Sequence, residues 1–213
     1  MLEEKGIGIG AVITEHARTT TVKTRIIKGT EHMLRVDEET TEPISEVSRN
    51  QLEDEITTLL DSQQVDVIII EDYDKGVMSE EFANFLIDQA DERGIPITVD
   101  PKLENFSVYK GVDLFKPNLK ELREGLGLSI NNNDNESLKN AVERLHKELE
   151  PQMSLTTLGG EGMWMHSSDM MHHHQCGVER DVVDVSGAGD TVIAVASLML
   201  AVGAEPQNIA KAA

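Results

Sequence analysis

Val65-Asp66-Val67-Ile68-Ile69-Ile70 is a short, nearly continuous apolar run set between two helical patterns. A run of that length reads as a strand buried on both faces, the usual state in a parallel sheet. Upstream, Leu52, Ile56, Leu59 and Leu60 recur at helical spacing, and Ser48 with Gln51 fits a capping box. Downstream, Ser79 is expected to cap a helix with Phe82, Phe85, Leu86 and Ala90 inward. Gly94 ends that helix and Ile95–Val99 forms the next strand. The alternation continues. Asp113-Leu114-Phe115 is a brief strand, Pro117-Asn118 opens a helix, Asn131–Asn135 is a polar loop, and Glu136–Leu149 is amphipathic. Ser154–Leu158 is a strand, and Met163–Gln175 reads as a hairpin around Ser167-Ser168-Asp169. One helix then runs from Gly187 to Ala201, and Pro206 starts another. Such alternation predicts an α/β fold, a mainly parallel central sheet with helices on both faces. Ligands then sit beyond the carboxyl ends of the strands. Residues 71–76, 100–102, 116–121, 159–162 and 184–190 are therefore the segments to search.

Ahead of this pattern, Thr19–Ile27 and His32–Val36 are β-branched segments joined by Lys28-Gly29-Thr30. They predict a two-stranded ribbon over 19–38 with one wet face.

The chain has 213 residues, 39 Asp and Glu against 19 Lys and Arg, and a formal net charge of −20. A basic face for nucleic acid is excluded by that balance, and an anionic membrane surface is disfavoured for the same reason. Hydrophobic residues at 39% suffice for a core, and aromatics at 3% leave few stacking platforms. No apolar run approaches the ~20 residues of a transmembrane helix, and the N-terminus lacks signal-peptide features. The single Cys176 forms no intrachain disulfide, which fits a reduced, cytoplasmic setting.

The segment richest in chemistry is Asp184-Val185-Ser186-Gly187-Ala188-Gly189-Asp190-Thr191, followed by an apolar helix. Glycines at a helix start let backbone N–H groups approach an anion, and the helix dipole adds positive potential there. Asp190 could take a proton from a hydroxyl while Gly187, Ala188 and Gly189 hold an incoming phosphoryl group. A Gly-rich turn with an ordinary first-turn acid is the bland alternative. The apolar helix behind the octet favours the anion site.

Gly-Ala-Gly-Asp after Asp-x-Ser resembles the second signature of the ribokinase (PfkB-type) carbohydrate kinases. Asn118-Leu119-Lys120-Glu121 resembles that family's N-x-x-E motif, and Thr157–Gly162 its T-x-G-x-x-G nucleotide loop. Within the family, Leu34–Asp37, Glu71–Val77 and Asp100-Pro101-Lys102 are most similar to heptose 7-phosphate kinases, often one half of a bifunctional enzyme of ADP-heptose synthesis. The resemblance covers nearly the whole chain and implies a ribokinase-like fold with the ribbon as a lid or a homodimer contact. It implies ATP and Mg²⁺ as cofactors and a sugar-phosphate hydroxyl as acceptor. The acceptor would be the anomeric hydroxyl of a heptose 7-phosphate. Asp190 would be the base, and Gly187, Ala188 and Gly189 the anion hole. Asn118, Leu119, Lys120 and Glu121 would lie at the nucleotide, with Asn118 and Glu121 organising Mg²⁺ through water. Thr157, Gly159 and Gly162 would lie along the nucleotide, and Lys75 and Lys102 could meet a substrate phosphate. The family opens with a strand and a Gly-Gly sugar motif, and extends beyond the helix that Pro206 begins. The resemblance therefore implies a single kinase domain over 1–213, incomplete at both ends.

Other readings stay open. Asn118 and Glu121 also satisfy a helix capping box, and Thr157–Gly162 could be only a strand and a turn. Lysines after strands are often just solvated. Another sugar or nucleoside could be the acceptor, and a non-catalytic nucleotide-binding module is the alternative from another class. Gly6–Gly10 lacks the spacing of a dinucleotide fingerprint, and no Walker-type loop exists. His172-His173-His174 would alternate across a strand, so an exposed hairpin is expected rather than a metal site. Met163, Met165, Met170 and Met171 are expected to pack the hairpin.

Overall fold

The computed structural model describes residues 2–29, 31–62, 64–129, 135–167, 170–177 and 187–213. β1 (Val22–Lys28) and β2 (Glu31–Glu38) form a two-stranded antiparallel ribbon. Helix α1 (Glu46–Ser62) leads to β3 (Ile68–Glu71), α2 (Glu80–Arg93) and β4 (Ile97–Asp100). After β5 (Leu114–Phe115) come α3 (Leu119–Leu126), α4 (Asn135–Leu149) and β6 (Met153–Thr157). The hairpin β7 (Gly162–Ser167) and β8 (Met170–Cys176) follows, then α5 (Ala188–Ala201) and α6 (Pro206–Ala212). The six-stranded sheet has the order β3-β4-β5-β6-β7-β8. Its first four strands are parallel, and β7 and β8 join antiparallel. The expected α/β architecture is therefore present.

Two apolar clusters flank the sheet. Val99 and Phe115 pack with Phe82 and Leu86 of α2, Leu122 of α3 and Val142 and Leu145 of α4. Leu114, Leu155 and Met165 pack with Ala196 of α5 and Ile209 of α6. Alternation along each strand divides the sheet in this way. In β4 all four residues are buried, with Ile97 and Val99 in the first cluster. Thr98 turns toward α5, where its Oγ1 lies 2.7 Å from Ser197 Oγ. The same alternation directs Asp100, the next residue but one, toward the start of α5.

Several local expectations hold. Ser79 Oγ accepts from Phe82 N–H at 3.2 Å, and Gly94 closes α2 in the left-handed region. Helix α3 begins at Asn118 with a full capping box, and Pro206 stands at the start of α6. Met165 is fully buried and Met163 packs beside it, while the side chains of Met170 and Met171 lie outside the described residues. Residues 131–134 of the expected polar loop, Ser168-Asp169 and Asp184-Val185-Ser186 lie outside the described residues.

Others are corrected. Helix α1 starts before Ser48: Ser45 Oγ accepts from Ser48 N–H at 3.2 Å, so Ser45 is the cap. Val65–Val67 do not join β3, and Ile69 is 39% exposed. The run is not buried on both faces because β3 is the sheet's edge strand and lines a cavity. The ribbon has no dry face, since all seven β1 residues are exposed.

His172 is also not on an exposed hairpin. Its side chain is 13% exposed, its Nδ1 accepts from Trp164 Nε1–H at 3.1 Å, and its Nε2 lies 3.6 Å from Glu143 Oε1. Its ring stacks on His166, 4.4 Å between centroids, and His166 meets His146 edge-on at 4.3 Å. His146 Nε2 lies 2.9 Å from Ser154 Oγ. Burial is the main cause that pushes His146 down from 6.5 to about 4, and the neighbouring rings of His166 and His172 add to it. Burial and His172 likewise hold His166 low, with Glu143 opposing. A histidine held low stabilises the fold above its unfolded value and loses that contribution as the pH falls. Stability should therefore drop between pH 6.5 and about 4. His146→Gln should flatten this part of a curve of unfolding free energy against pH, from denaturant titration, by about 1–2 kcal/mol after discounting for partial exposure.

Candidate functional site

The parallel strands bring their carboxyl ends to one edge. Glu71 ends β3, Asp100 ends β4, and the two are register partners. Lys116 follows β5, and its N–H donates to Val99 carbonyl at 2.8 Å. Thr157 ends β6 and bridges to Asn118, its N–H donating to Pro117 carbonyl at 3.0 Å. Helix α5 crosses the same edge and contacts β3 and β4.

Gly187 caps α5 with φ +78°, a left-handed conformation that side-chain-bearing residues adopt only under strain. No side chain caps this helix. The N–H groups of Ala188, Gly189 and Asp190 are first-turn donors with no intrahelical acceptor. Asp190 is exposed on the wall of a cavity of about 940 Å³ that also touches Glu71, Tyr73, Lys75 and Gly187. Lys23 and Arg25 of β1 reach the same cavity, which continues into an apolar part beside α1.

Oxygens of Glu71, Asp100 and Asp190 all lie within 4.8 Å of one another. This is the one such group of His, Cys, Asp and Glu among the described residues. Burial, then the charges of Asp190 and Asp100, push the Glu71 carboxyl up. Tyr73 donates to Glu71 Oε2 at 3.3 Å, and its hydroxyl is pushed up by burial and by Glu71 and Asp190. Asp100 is 6% exposed and rests against Lys116, with Lys116 Nζ 2.9 Å from its Oδ2. Burial raises the Asp100 carboxyl, while Lys116 opposes the rise.

A second group adjoins the first. Glu121 is buried; its Oε2 accepts from Asn118 N–H at 2.8 Å and its Oε1 from Lys102 at 2.7 Å. Lys102 Nζ also lies 3.7 Å from Asp100 Oδ1, which links the two groups. Asn118, Glu121, Thr157 and Lys102 are thus brought together. Leu119 instead packs against the core, and Lys120 is solvent-exposed, 3.9 Å from Glu124. Gly159 sits in a 3-10 turn after β6. Gly162 opens β7 with φ +96°, where a Cβ would lie 2.0 Å from Gln175 carbonyl, so strand contact demands this glycine. Lys75 lines the cavity and is tied to Glu39 at 2.6 Å, apart from Lys102 and its partners.

Residue-by-residue reading overlooked Glu71, Tyr73, Lys116, Lys23 and Arg25. The first three stand at or just beyond strand ends, the place the parallel-sheet rule indicates.

The whole chain, residues 1–213, matches the pfkB family of carbohydrate kinases. The chain belongs to this family. Among curated members, the bifunctional protein HldE of Helicobacter hepaticus is 36% identical over 204 residues, 96% of this chain and 41% of that protein. HldE of Wolinella succinogenes is 38% identical over 202 residues, 95% and 41% of the two chains. The chain thus spans about two fifths of the length of these relatives. Among solved structures, Escherichia coli phosphofructokinase-2 in complex with substrates and products superposes with TM-score 0.74 at 18% identity. That match covers 90% of this chain and 61% of that one. Arabidopsis thaliana ribokinase complexed with ribose and ATP gives TM-score 0.60 at 17% identity, covering 84% and 56%. The pfkB chain therefore shares the ribokinase-like fold.

One acid at this edge is fully engaged by neighbouring donors. Asp72 is 3% exposed and accepts from Tyr109 hydroxyl at 2.6 Å, Asn105 Nδ2 at 3.0 Å and Asp74 N–H at 2.9 Å. It pins the loop after β3. Asp72→Ala should lower the unfolding free energy by about 3 kcal/mol and Tyr109→Phe by about 1–2 kcal/mol, measured by denaturant titration.

Proposed function

We propose that the protein is an ATP- and Mg²⁺-dependent kinase of a sugar phosphate, with heptose 7-phosphate at its anomeric hydroxyl as the leading substrate. One observation carries this reading: Asp190 stands in the first turn of α5, beside N–H groups that have no acceptor within the helix, and on the wall of a large cavity. The acceptor oxygen attacks the γ-phosphorus of ATP and its proton passes to Asp190. The bond from that phosphorus to the bridging oxygen breaks, and ADP leaves with the electron pair. N–H groups at Gly187–Gly189 receive the transferred phosphoryl oxygens. Lys23, Arg25 and Lys75 suit the phosphate that the acceptor already carries.

Asn118, Glu121, Thr157 and Gly159 serve the nucleotide, with Lys102 holding Glu121. Both Glu121 oxygens already accept a hydrogen bond, which suits an outer-sphere hold on Mg²⁺ through its waters. When bound, the ion offsets phosphate charge. The heptose assignment rests on the motifs at Leu34–Asp37, Glu71–Val77 and Asp100–Lys102. The ribbon acts as a lid or a homodimer contact, and exposed Ile26, Leu34 and Val36 support that role. We read residues 1–213 as one kinase domain in a cytoplasmic enzyme, and the free Cys176 fits that setting.

The test is a panel of sugars and sugar phosphates with ATP, followed by ADP release and product mass. Heptose 7-phosphate should be the best acceptor, and preference for another sugar would reassign the substrate. Asp190→Asn should lower kcat at least ~1,000-fold and leave ATP affinity within about threefold. Full turnover in that variant would remove Asp190 from the base role.

A further inference from the structure

Lys116 is one of the most deeply placed charges among the described residues. It is 2% exposed, and its carboxylate partner Asp100 is 6% exposed. The residues just before it, Leu114 and Phe115, are fully buried, one in each apolar cluster. Replacing a buried ion pair with apolar residues of similar volume is often neutral or stabilising. Packing alone therefore gives this pair no reason to be here.

Its place supplies one. A Cβ added at Gly189 would lie 3.6 Å from Lys116 Nζ and 3.7 Å from Asp100 Oδ2. The backbone of α5's first turn thus stands directly on the ion pair. Lys116 also lies two residues before Asn118, the cap of α3, so it sits between the starts of two helices. On the acidic side, Glu71, Asp100 and Asp190 crowd within 4.8 Å; Lys116 pairs with Asp100, and its charge also reaches Glu71. Without a cation here, three carboxylates would face the point where phosphate charge has to collect.

We infer that the Lys116–Asp100 pair is the electrostatic floor of the anion hole. Lys116 is a positioning residue: its ammonium, fixed beneath the N–H groups of Gly187–Gly189, favours the charge that builds on the transferred phosphoryl group. Asp100 holds the ammonium in place and keeps it away from solvent. The inference rests on the kinase reading above and deepens it. Preorganised charge of this kind acts on the transition state more than on substrate binding.

The test compares Lys116→Met, Asp100→Asn and the double variant, reading Tm, the KM of each substrate and kcat. Lys116→Met strands a buried carboxylate, so its Tm and kcat should both fall. The double variant removes both charges and should recover most of the Tm. Its kcat should still be about 100-fold below wild type, with KM values within about threefold. Wild-type kcat in the double variant would make the pair a packing feature and overturn the inference. Lys116→Gln, which keeps a hydrogen bond to Asp100 without the charge, is the second variant should the double one not fold. It should show the same loss of kcat, and wild-type kcat there would also overturn the inference. Failure of the kinase reading would look different, since the wild-type protein would then turn over no acceptor. In that case tungstate binding by calorimetry decides: binding at least about tenfold weaker in the variant is expected, and equal affinity overturns the inference.

Discussion

Parallel pairing of β3, β4, β5 and β6 delivers four strand ends to one edge of the sheet, and everything at the site hangs on that alignment. Strand pleating then sorts the terminal residues. In β4, Ile97 and Val99 enter the core on the α2 side, while Thr98 and Asp100 face α5. Because Glu71 and Asp100 are register partners, they share that face. A shift of one residue in this register would turn one of the two carboxylates toward the apolar cluster and part it from the other. The apolar contacts of α5 and α6 with Leu114, Leu155 and Met165 hold the helix that presents Asp190 to the same edge.

The polar residues at this edge divide into three kinds. Asp72, with Tyr109 and Asn105, is spent on loop structure. Asp100 with Lys116 and Glu121 with Lys102 are ion pairs, mostly buried, that neutralise one another. Among the acids described at this edge, Asp190 combines exposure to the cavity with a position among the first-turn N–H groups of α5. That contrast singles it out more sharply than its motif does. It also accounts for how a chain of net charge −20 could offer the anion site proposed for it. Backbone donors and a few inward cations act locally, whereas distant surface acids are screened.

Much of the architecture was legible from residue patterns. The caps at Ser79 and Asn118, the stop at Gly94 and the start at Pro206 all depend on side chains within a few positions of the backbone they serve. Errors fell where distant packing decides. The run at Val65–Ile70 has the composition of a doubly buried strand, yet β3 lies at the sheet edge beside a cavity. His172 carried the pattern of an exposed hairpin, but α4 covers that face: Glu143 and His146 come from it and close over the His172, His166 and Trp164 rings. The same limit applied at the site. Asp190 and the Asn118–Glu121 pair stand in compact motifs, whereas Lys116 carries no local signature and Glu71 stood only in a segment quoted for its resemblance, with no role attached.

By itself, then, the sequence determined the alternation of strands and helices, the helix ends, the net charge and the strand-end segments to search. These follow from side-chain periodicity, capping and charge, which act over a few residues. Tertiary structure alone decided that Lys116 meets Asp100, that Lys102 meets Glu121 across 19 positions and that Tyr109 reaches Asp72 across 37. The physical reason is strand order. Periodicity shows that a segment is a strand, but which strands lie side by side is settled by burying both faces of the whole sheet at once.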